Sequence, residues 1–162
     1  MQRFALATLV LVPVLVAATP ALAAGSEAKG TFVHGSRTTT VKYAYLIKGP
    51  DVVSKQPIRR LILSATDLGA KIAACKSMSC TDSDLGDGLS VNLDGSKRLN
   101  YWLVQNDQRV QYSGTEPVAS LAAKADDAKR LSGTLRFDKT GAGGPKVDIT
   151  FDAALAKEVA AP

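Results

Sequence analysis

Histidine and cysteine are scarce in this chain: of its 162 residues, one is histidine and two are cysteine. A catalytic histidine needs a neighbouring nucleophile or carboxylate, and the spacing around His34 supplies neither. Zinc sites of the usual kind need several His or Cys ligands, so the sequence excludes them. We expect His34, which precedes Gly35, to be a turn residue, and we expect no cofactor.

Aromatic residues are also few, at 6%, and the formal charge of +5 is modest. Three basic pairs are scattered along the chain without interleaved aromatics: Arg59-Arg60, Lys97-Arg98 and Lys129-Arg130. Platforms for single-stranded nucleic acid combine both features, so we expect no nucleic-acid partner. Brought together by folding, such pairs would form a patch for an anionic ligand, with Arg59 and Arg60 as the candidates.

Long apolar runs are absent except at the N-terminus. Arg3 precedes an apolar run over residues 4–18, and Ala21-Leu22-Ala23 forms a small-x-small cleavage site. The run is shorter than the ~20 residues that cross a bilayer. We therefore predict a signal peptide over residues 1–23 and a single exported β-rich domain over residues 24–162. That domain would have no transmembrane segment and would be periplasmic or extracellular.

The two cysteines, Cys75 and Cys80, are five residues apart. In an oxidising compartment such a pair predicts a disulfide. Residues five apart in a helix are separated by about 7.5 Å along its axis, too far for a bridge, so a helix here must end soon after Cys75. Free thiols remain an alternative, as does a Cu(I) site completed by Met78.

Apolar and polar residues alternate over residues 131–137 and 147–151, which indicates two strands with one buried face each. The run Leu61-Ile62-Leu63 predicts a strand buried on both faces, and a short helix from Thr66 or Asp67 to Cys75 would cover its second face. Residues 116–130 fit either a helix or a strand. Turn signals about every ten residues predict a mainly β fold: an antiparallel sandwich or small barrel of about 7–9 strands with one short helix.

Three acidic residues, Asp82, Asp84 and Asp87, cluster between the second cysteine and the next predicted strand. Such oxygen-rich loops bind Ca²⁺ when they supply several carboxylates and carbonyls. The usual calcium-binding loop has the pattern D-x-D-x-D-G, with a Glu at its twelfth position. Here Gly86 stands where the third Asp of that pattern would be, and no Glu follows at the twelfth position. The pattern therefore favours a solvated turn over a calcium site.

Tyr101 and Trp102 are adjacent, so on a strand they point to opposite faces. One of them must leave the main core, be covered by another element, or mark a binding surface. The other tyrosines are more typical of core and cross-strand packing.

Four short motifs, Gly30-Thr-Phe, Tyr43-Ala-Tyr45, Leu61-Ile-Leu63 and Leu131-Ser-Gly133, occur in this order. In this arrangement the chain resembles small exported bacterial envelope proteins of unassigned function. The resemblance implies an exported β domain and no particular activity. We expect a non-enzymatic binding or structural module whose partner is a protein, a glycan or a small ligand. The alternative is a small hydrolase that uses carboxylates of the Asp82–Asp87 loop.

Overall fold

The computed structural model describes residues 26–83, 86–106, 108 and 110–160, with Asp82 and Ser83 described through their backbone only. The predicted signal peptide lies outside these residues and stays a prediction. The described residues contain nine strands: β1 (Glu27–His34), β2 (Arg37–Pro50), β3 (Pro57–Ser64), β4 (Gly88–Leu93), β5 (Arg98–Val104), β6 (Tyr112–Pro117), β7 (Leu121–Asp126), β8 (Arg130–Asp138) and β9 (Lys146–Glu158). A short helix α1 (Gly69–Ala74) and a single helical turn α2 (Cys80–Ser83) follow β3.

All nine strands belong to one sheet, in the order β6-β5-β4-β3-β2-β1-β9-β8-β7. Neighbours in this order are antiparallel, and the end of β2 also pairs in parallel with β9. The sheet is strongly curled: the rings of Tyr101 on β5 and Phe137 on β8 have centroids 4.9 Å apart. In a flat sheet these strands, six places apart, would be separated by roughly 29 Å. The predicted mainly β antiparallel fold is confirmed, and it is built from one curled sheet.

The two outermost strands of the sheet are joined by a very short connection. A single 3₁₀ turn, Val118–Ser120, leads from β6 directly into β7 at the opposite end of the strand order. The curl therefore brings the two edges together at this corner. Of the two alternatives for residues 116–130, the strand is correct, with the turn interrupting it.

The concave face of the sheet encloses the main hydrophobic core. The predicted alternation in the last hairpin is confirmed, because one set of side chains is buried there: Leu131, Leu135, Phe137, Val147, Ile149 and Phe151. Their neighbours Arg136 and Asp148 are exposed and form an ion pair across the hairpin. The interior of the curl is thus filled by side chains.

A second, smaller cluster covers the convex face of β2 and β3. It contains Tyr45, Ile47, Ile58, Ile62, Leu68, Ile72, Met78 and Val159. The predicted cover for β3 is therefore confirmed, since Leu68 and Ile72 come from the segment around α1. The helix ends at Ala74, and Cys75 has extended backbone angles and is bridged to Cys80. The predicted disulfide, and its helix end, are confirmed.

Two local expectations need correction. Alternating residues Val41, Tyr43, Tyr45 and Ile47 predict from the sequence a strand with all four side chains on one face, whereas Val41 lies in the inner cluster and Tyr45 in the outer one. The register of β1 against β2 shifts beside this segment, and such an irregularity changes the face that a side chain takes. The sequence also predicts a strand over residues 109–113, because Val110 and Tyr112 would share one face, but β6 begins only at Tyr112.

Candidate functional site: the Trp102 groove

The adjacent aromatics of β5 lie on opposite faces of the curled sheet, as strand geometry requires. Tyr101 is 2% exposed and packs in the inner core against Phe137 and Tyr112. Burial raises the pKa of its hydroxyl, which keeps the side chain neutral. Trp102 is half-buried and points outward. Of the pair, only Trp102 is placed to meet a partner.

Trp102 lines a groove on the convex face, which we call the Trp102 groove. Its cavity volume is about 290 Å³. Its lining consists of Asp51, Val52, Val53, Arg60, Ser90, Asn92, Trp102 and Val110. Among the described residues, the exposed large aliphatic side chains are those of Val52, Val53, Val110 and Val118, and three of these four lie in the groove. Exposed apolar surface is thus concentrated around the only tryptophan of the chain.

The turn between β2 and β3 presents two of these valines in a fixed conformation. Asp51 Oδ1 accepts hydrogen bonds from the backbone N–H of Ser54, at 2.7 Å, and of Val53, at 3.1 Å. The bond from Ser54 is the main reason that the pKa of Asp51 lies below its ordinary value. Lys55 Nζ donates to the carbonyl oxygen of Val52, at 2.7 Å. Val53, 89% exposed, therefore stands at the tip of an internally bonded turn.

A polar network lies beneath the apolar rim. Arg60, on the convex face of β3, is 2% exposed, and its Nε donates to Asn92 Oδ1 at 2.7 Å. Asn92 Nδ2 in turn donates to Asp51 Oδ2, at 3.4 Å. The Arg60 Cζ lies 5.9 Å from the centre of the Trp102 ring, within the range of a cation–π interaction. The turn, β3, β4 and β5 are thereby joined under the groove.

A second groove lies on the other side of the same turn, and it shares Asp51 and Val52 with the first. Its apolar lining includes Met78 and Val159, and its cationic residues are Lys55 and Lys76. Neither lysine forms an ion pair with a described residue. Positive charge therefore flanks the apolar surface.

The predicted anionic-ligand patch of Arg59 and Arg60 is not assembled, because the two side chains lie on opposite faces. Arg59 donates from Nε and Nη2 to Asp94, at 2.6 and 2.9 Å, and from Nη1 to Asp126. These carboxylates, Asp94 above all, raise the pKa of the guanidinium, so that it stays charged, and their negative charges balance its positive charge. Arg59 is thus already paired within the protein, while Arg60 supports Trp102.

Of the predicted acidic site residues, only Asp87 is fully described by the structure. Asp84 lies outside the described residues, and nothing is described of the Asp82 side chain. Among the described residues, no group of three or more His, Cys, Asp and Glu side chains could hold a metal ion. His34 ends β1, and its ring lies 5.2 Å from that of Tyr112. The preference for a solvated turn over a calcium site at Asp82, Asp84 and Asp87, and the absence of a cofactor, stay predictions.

Several groove residues are missed by the sequence reasoning. Val52 and Val53 form an apolar pair inside a segment bounded by Gly49-Pro50 and Gln56-Pro57. Because two adjacent valines in a turn cannot be buried in a strand, their presence there is a sequence signal for an exposed apolar site. Val110 carries no comparable signal, because it lies next to a segment with the composition of a strand.

Comparison with family models, curated proteins and solved structures returns no match. In the part of the chain that the structure describes, no helix has the length and apolar character needed to span a membrane.

Proposed function

We propose that the protein is an exported binding module of the cell envelope that captures an extended segment of a partner protein in the Trp102 groove. The observation that carries this proposal is the clustering of exposed Val52, Val53 and Val110 around half-exposed Trp102. Contiguous exposed apolar surface is uncommon on soluble proteins and marks interaction sites. Tryptophan is also the residue most enriched among interface hot spots.

The size of the groove favours a protein side chain over a free small molecule. Pockets for small ligands have volumes of ≈ 300–1,000 Å³ and bury most of the ligand surface. The Trp102 groove, at about 290 Å³, is at the lower end of this range. A single leucine or phenylalanine side chain fits such a groove, with its backbone running along the surface.

The charges around the turn favour an acidic partner segment. Lys55 and Lys76 border the adjoining groove, and Asp51, the acidic residue nearby, is engaged by the turn itself. Complementary charges accelerate association and orient the partner. The ligand chemistry is therefore a leucine or aromatic side chain with a carboxylate a few residues away.

Synthetic peptides test this proposal, and the single tryptophan reports binding directly. We expect a peptide of alternating Leu and Glu to change the fluorescence of Trp102 and to bind more tightly than a Leu–Lys or a Ser–Glu peptide. Val53→Ser should weaken binding of the Leu–Glu peptide by about tenfold, as for the loss of an interface hot spot. Lys55→Gln should weaken it less, and only at low salt.

Val118→Ser is the control, because Val118 is also an exposed valine, at 47% against 89% for Val53, but lies outside the groove. It should leave the affinity unchanged. Equal affinities of the three peptides, or equal effects of Val53→Ser and Val118→Ser, would show that the groove is not the binding site. Hydrolysis of the peptide by the folded protein would instead support the hydrolase alternative.

A further inference from the structure

The disulfide loop, residues 75–80, contacts Arg60 beneath the groove. Arg60 Nη1 donates to the carbonyl oxygen of Met78, at 3.1 Å, and to Thr81 Oγ1, at 2.7 Å. Thr81 Oγ1 donates to the same carbonyl oxygen, at 2.8 Å. The loop and the residue that follows it therefore determine where one end of the guanidinium lies.

The other end of the same guanidinium supports the groove. Its Nε is bonded to Asn92, and its cationic centre lies near the Trp102 ring. A buried guanidinium that loses hydrogen-bond partners is costly, so it must move to recover them. A displacement of the Met78 carbonyl is therefore transmitted through Arg60 to the wall of the groove.

The disulfide loop is held at two places, its bridge and Met78, and the rest of it is exposed. Lys76, Ser77, Ser79 and Cys80 are exposed, and only Cys75 and Met78 are buried. The Met78 side chain fits against Gly49, where a Cβ would lie 2.9 Å from its sulfur. The backbone bonds of the loop are local, from Cys75 N to Ile72 O and from Cys80 N to Ser77 O. The covalent bridge thus holds the two ends of the loop, the buried Met78 side chain holds its middle, and together they fix the position of the Met78 carbonyl.

We propose that the Cys75–Cys80 disulfide assembles the Trp102 groove, so that the protein binds its partner in the oxidised state and loses affinity when the bridge is reduced. This inference rests on the proposed function and adds its regulation. In reduction, a thiolate of a dithiol reductant attacks the sulfur of exposed Cys80, and Cys75 leaves as a thiolate that takes up a proton. The second thiol of the reductant then releases Cys80, and the reductant becomes a disulfide. A disulfide oxidant reverses these steps, which places assembly of the groove after export.

The test compares the oxidised protein with the same protein reduced by dithiothreitol. We expect the Leu–Glu peptide to bind about tenfold more weakly after reduction, which corresponds to about 1.4 kcal/mol. In the absence of peptide, the fluorescence of Trp102 in the reduced protein should have its maximum at a longer wavelength and should be quenched more strongly by iodide. The double variant Cys75→Ser, Cys80→Ser should behave like the reduced protein, and far-UV dichroism should show that its sheet is intact.

Two variants with an intact bridge distinguish coupling through Arg60 from a general loosening of the disulfide loop. Thr81→Val removes one acceptor of Arg60 and should change affinity and Trp102 emission in the direction of reduction. Ser79→Ala should change neither, because among the described residues the lost hydroxyl is hydrogen-bonded only to that of Ser77. The same affinity and the same Trp102 emission in both redox states would overturn the coupling even if the peptide binds. If no peptide binds, the proposed function fails, and a redox-dependent Trp102 emission still shows the coupling itself.

Discussion

The hydroxyl of Tyr45 joins the convex face of β2 to the start of α1. It donates to Asp67 Oδ1, at 2.6 Å, and accepts from the backbone N–H of Leu68, at 2.9 Å. Burial, followed by the bond to Asp67, raises the pKa of Tyr45 to about 12. The bond from Tyr45 is also the main reason that the pKa of Asp67 is lowered. One side chain therefore fixes the entrance to the helix that precedes the disulfide loop.

We predict that Tyr45→Phe lowers the free energy of unfolding by about 1–2 kcal/mol, because the buried Leu68 N–H loses its acceptor. Urea unfolding measures this, with Tyr43→Phe as the control. Because the pKa is raised on folding, the contribution is complete below the unfolded value of about 10 and is lost as pH rises through about 12. The wild type and Tyr45→Phe should therefore converge in stability at high pH, and a constant difference would contradict the prediction.

At the level of residues, local spacing predicts covalent and periodic features better than orientation. The spacing of Cys75 and Cys80, together with the expected export, predicts the bridge, and the bridge in turn requires the end of α1. The pair Tyr101-Trp102 predicts one outward ring, but not which one, because that depends on the direction in which the whole sheet curls. The role of Arg60 under Trp102 depends on β3, β4 and β5 together, and no local pattern contains it.

Arg59 connects elements that are far apart in the sheet. It lies on β3 and pairs with Asp94, in the turn after β4, and with Asp126, at the end of β7. Strands β3 and β7 are five places apart in the sheet order, roughly 24 Å in a flat sheet. The ion pairs therefore hold one edge of the sheet near its centre.

We predict that Arg59→Met lowers the free energy of unfolding by about 1–2 kcal/mol and increases hydrogen exchange in β7. Hydrogen bonds to charged groups contribute about 1.5–3 kcal/mol to stability, and we expect a smaller loss here because the carboxylates of Asp94 and Asp126 are half exposed to water. Arg136→Met, which breaks an exposed pair with Asp148, should cost much less. Arg59 holds the pKa of Asp94 below its ordinary value, so this stabilisation is present above pH ~3.9 and is lost as pH falls further. Equal acid sensitivity of the wild type and Arg59→Met would contradict this assignment.

At the level of elements, the alternation in β8 and β9 and the apolar run in β3 are read correctly from the sequence because burial there follows a simple period. Residues 116–130 are ambiguous, since an Ala-rich sequence fits both the 3.6-residue period of a helix and the two-residue period of a strand. Their strand conformation depends on β8, with which Leu121 and Ala122 pair. Local composition does not contain that partner.

For the whole molecule, we predict that residues 24–162, produced without the first 23 residues, fold with the disulfide formed. Far-UV dichroism should be dominated by strand, and the unreduced mass should be two hydrogens below that of the dithiol. A helix content above about a third would contradict the fold. Exported protein whose N-terminal sequence begins at Met1 would contradict the signal peptide.

The first and last strands along the chain, β1 and β9, are neighbours in the sheet, and nearly all of β1 pairs with the first half of β9. At Gly30 a Cβ would lie 2.1 Å from the carbonyl oxygen of Asp148, so the two backbones are in close contact. Contacts of such high sequence separation form late and slowly. A chain that is still being synthesised lacks the strand that fits between β1 and β8. Such a nascent chain cannot close this part of the sheet until β9 has emerged, and an open chain is the form that can be threaded through a narrow pore.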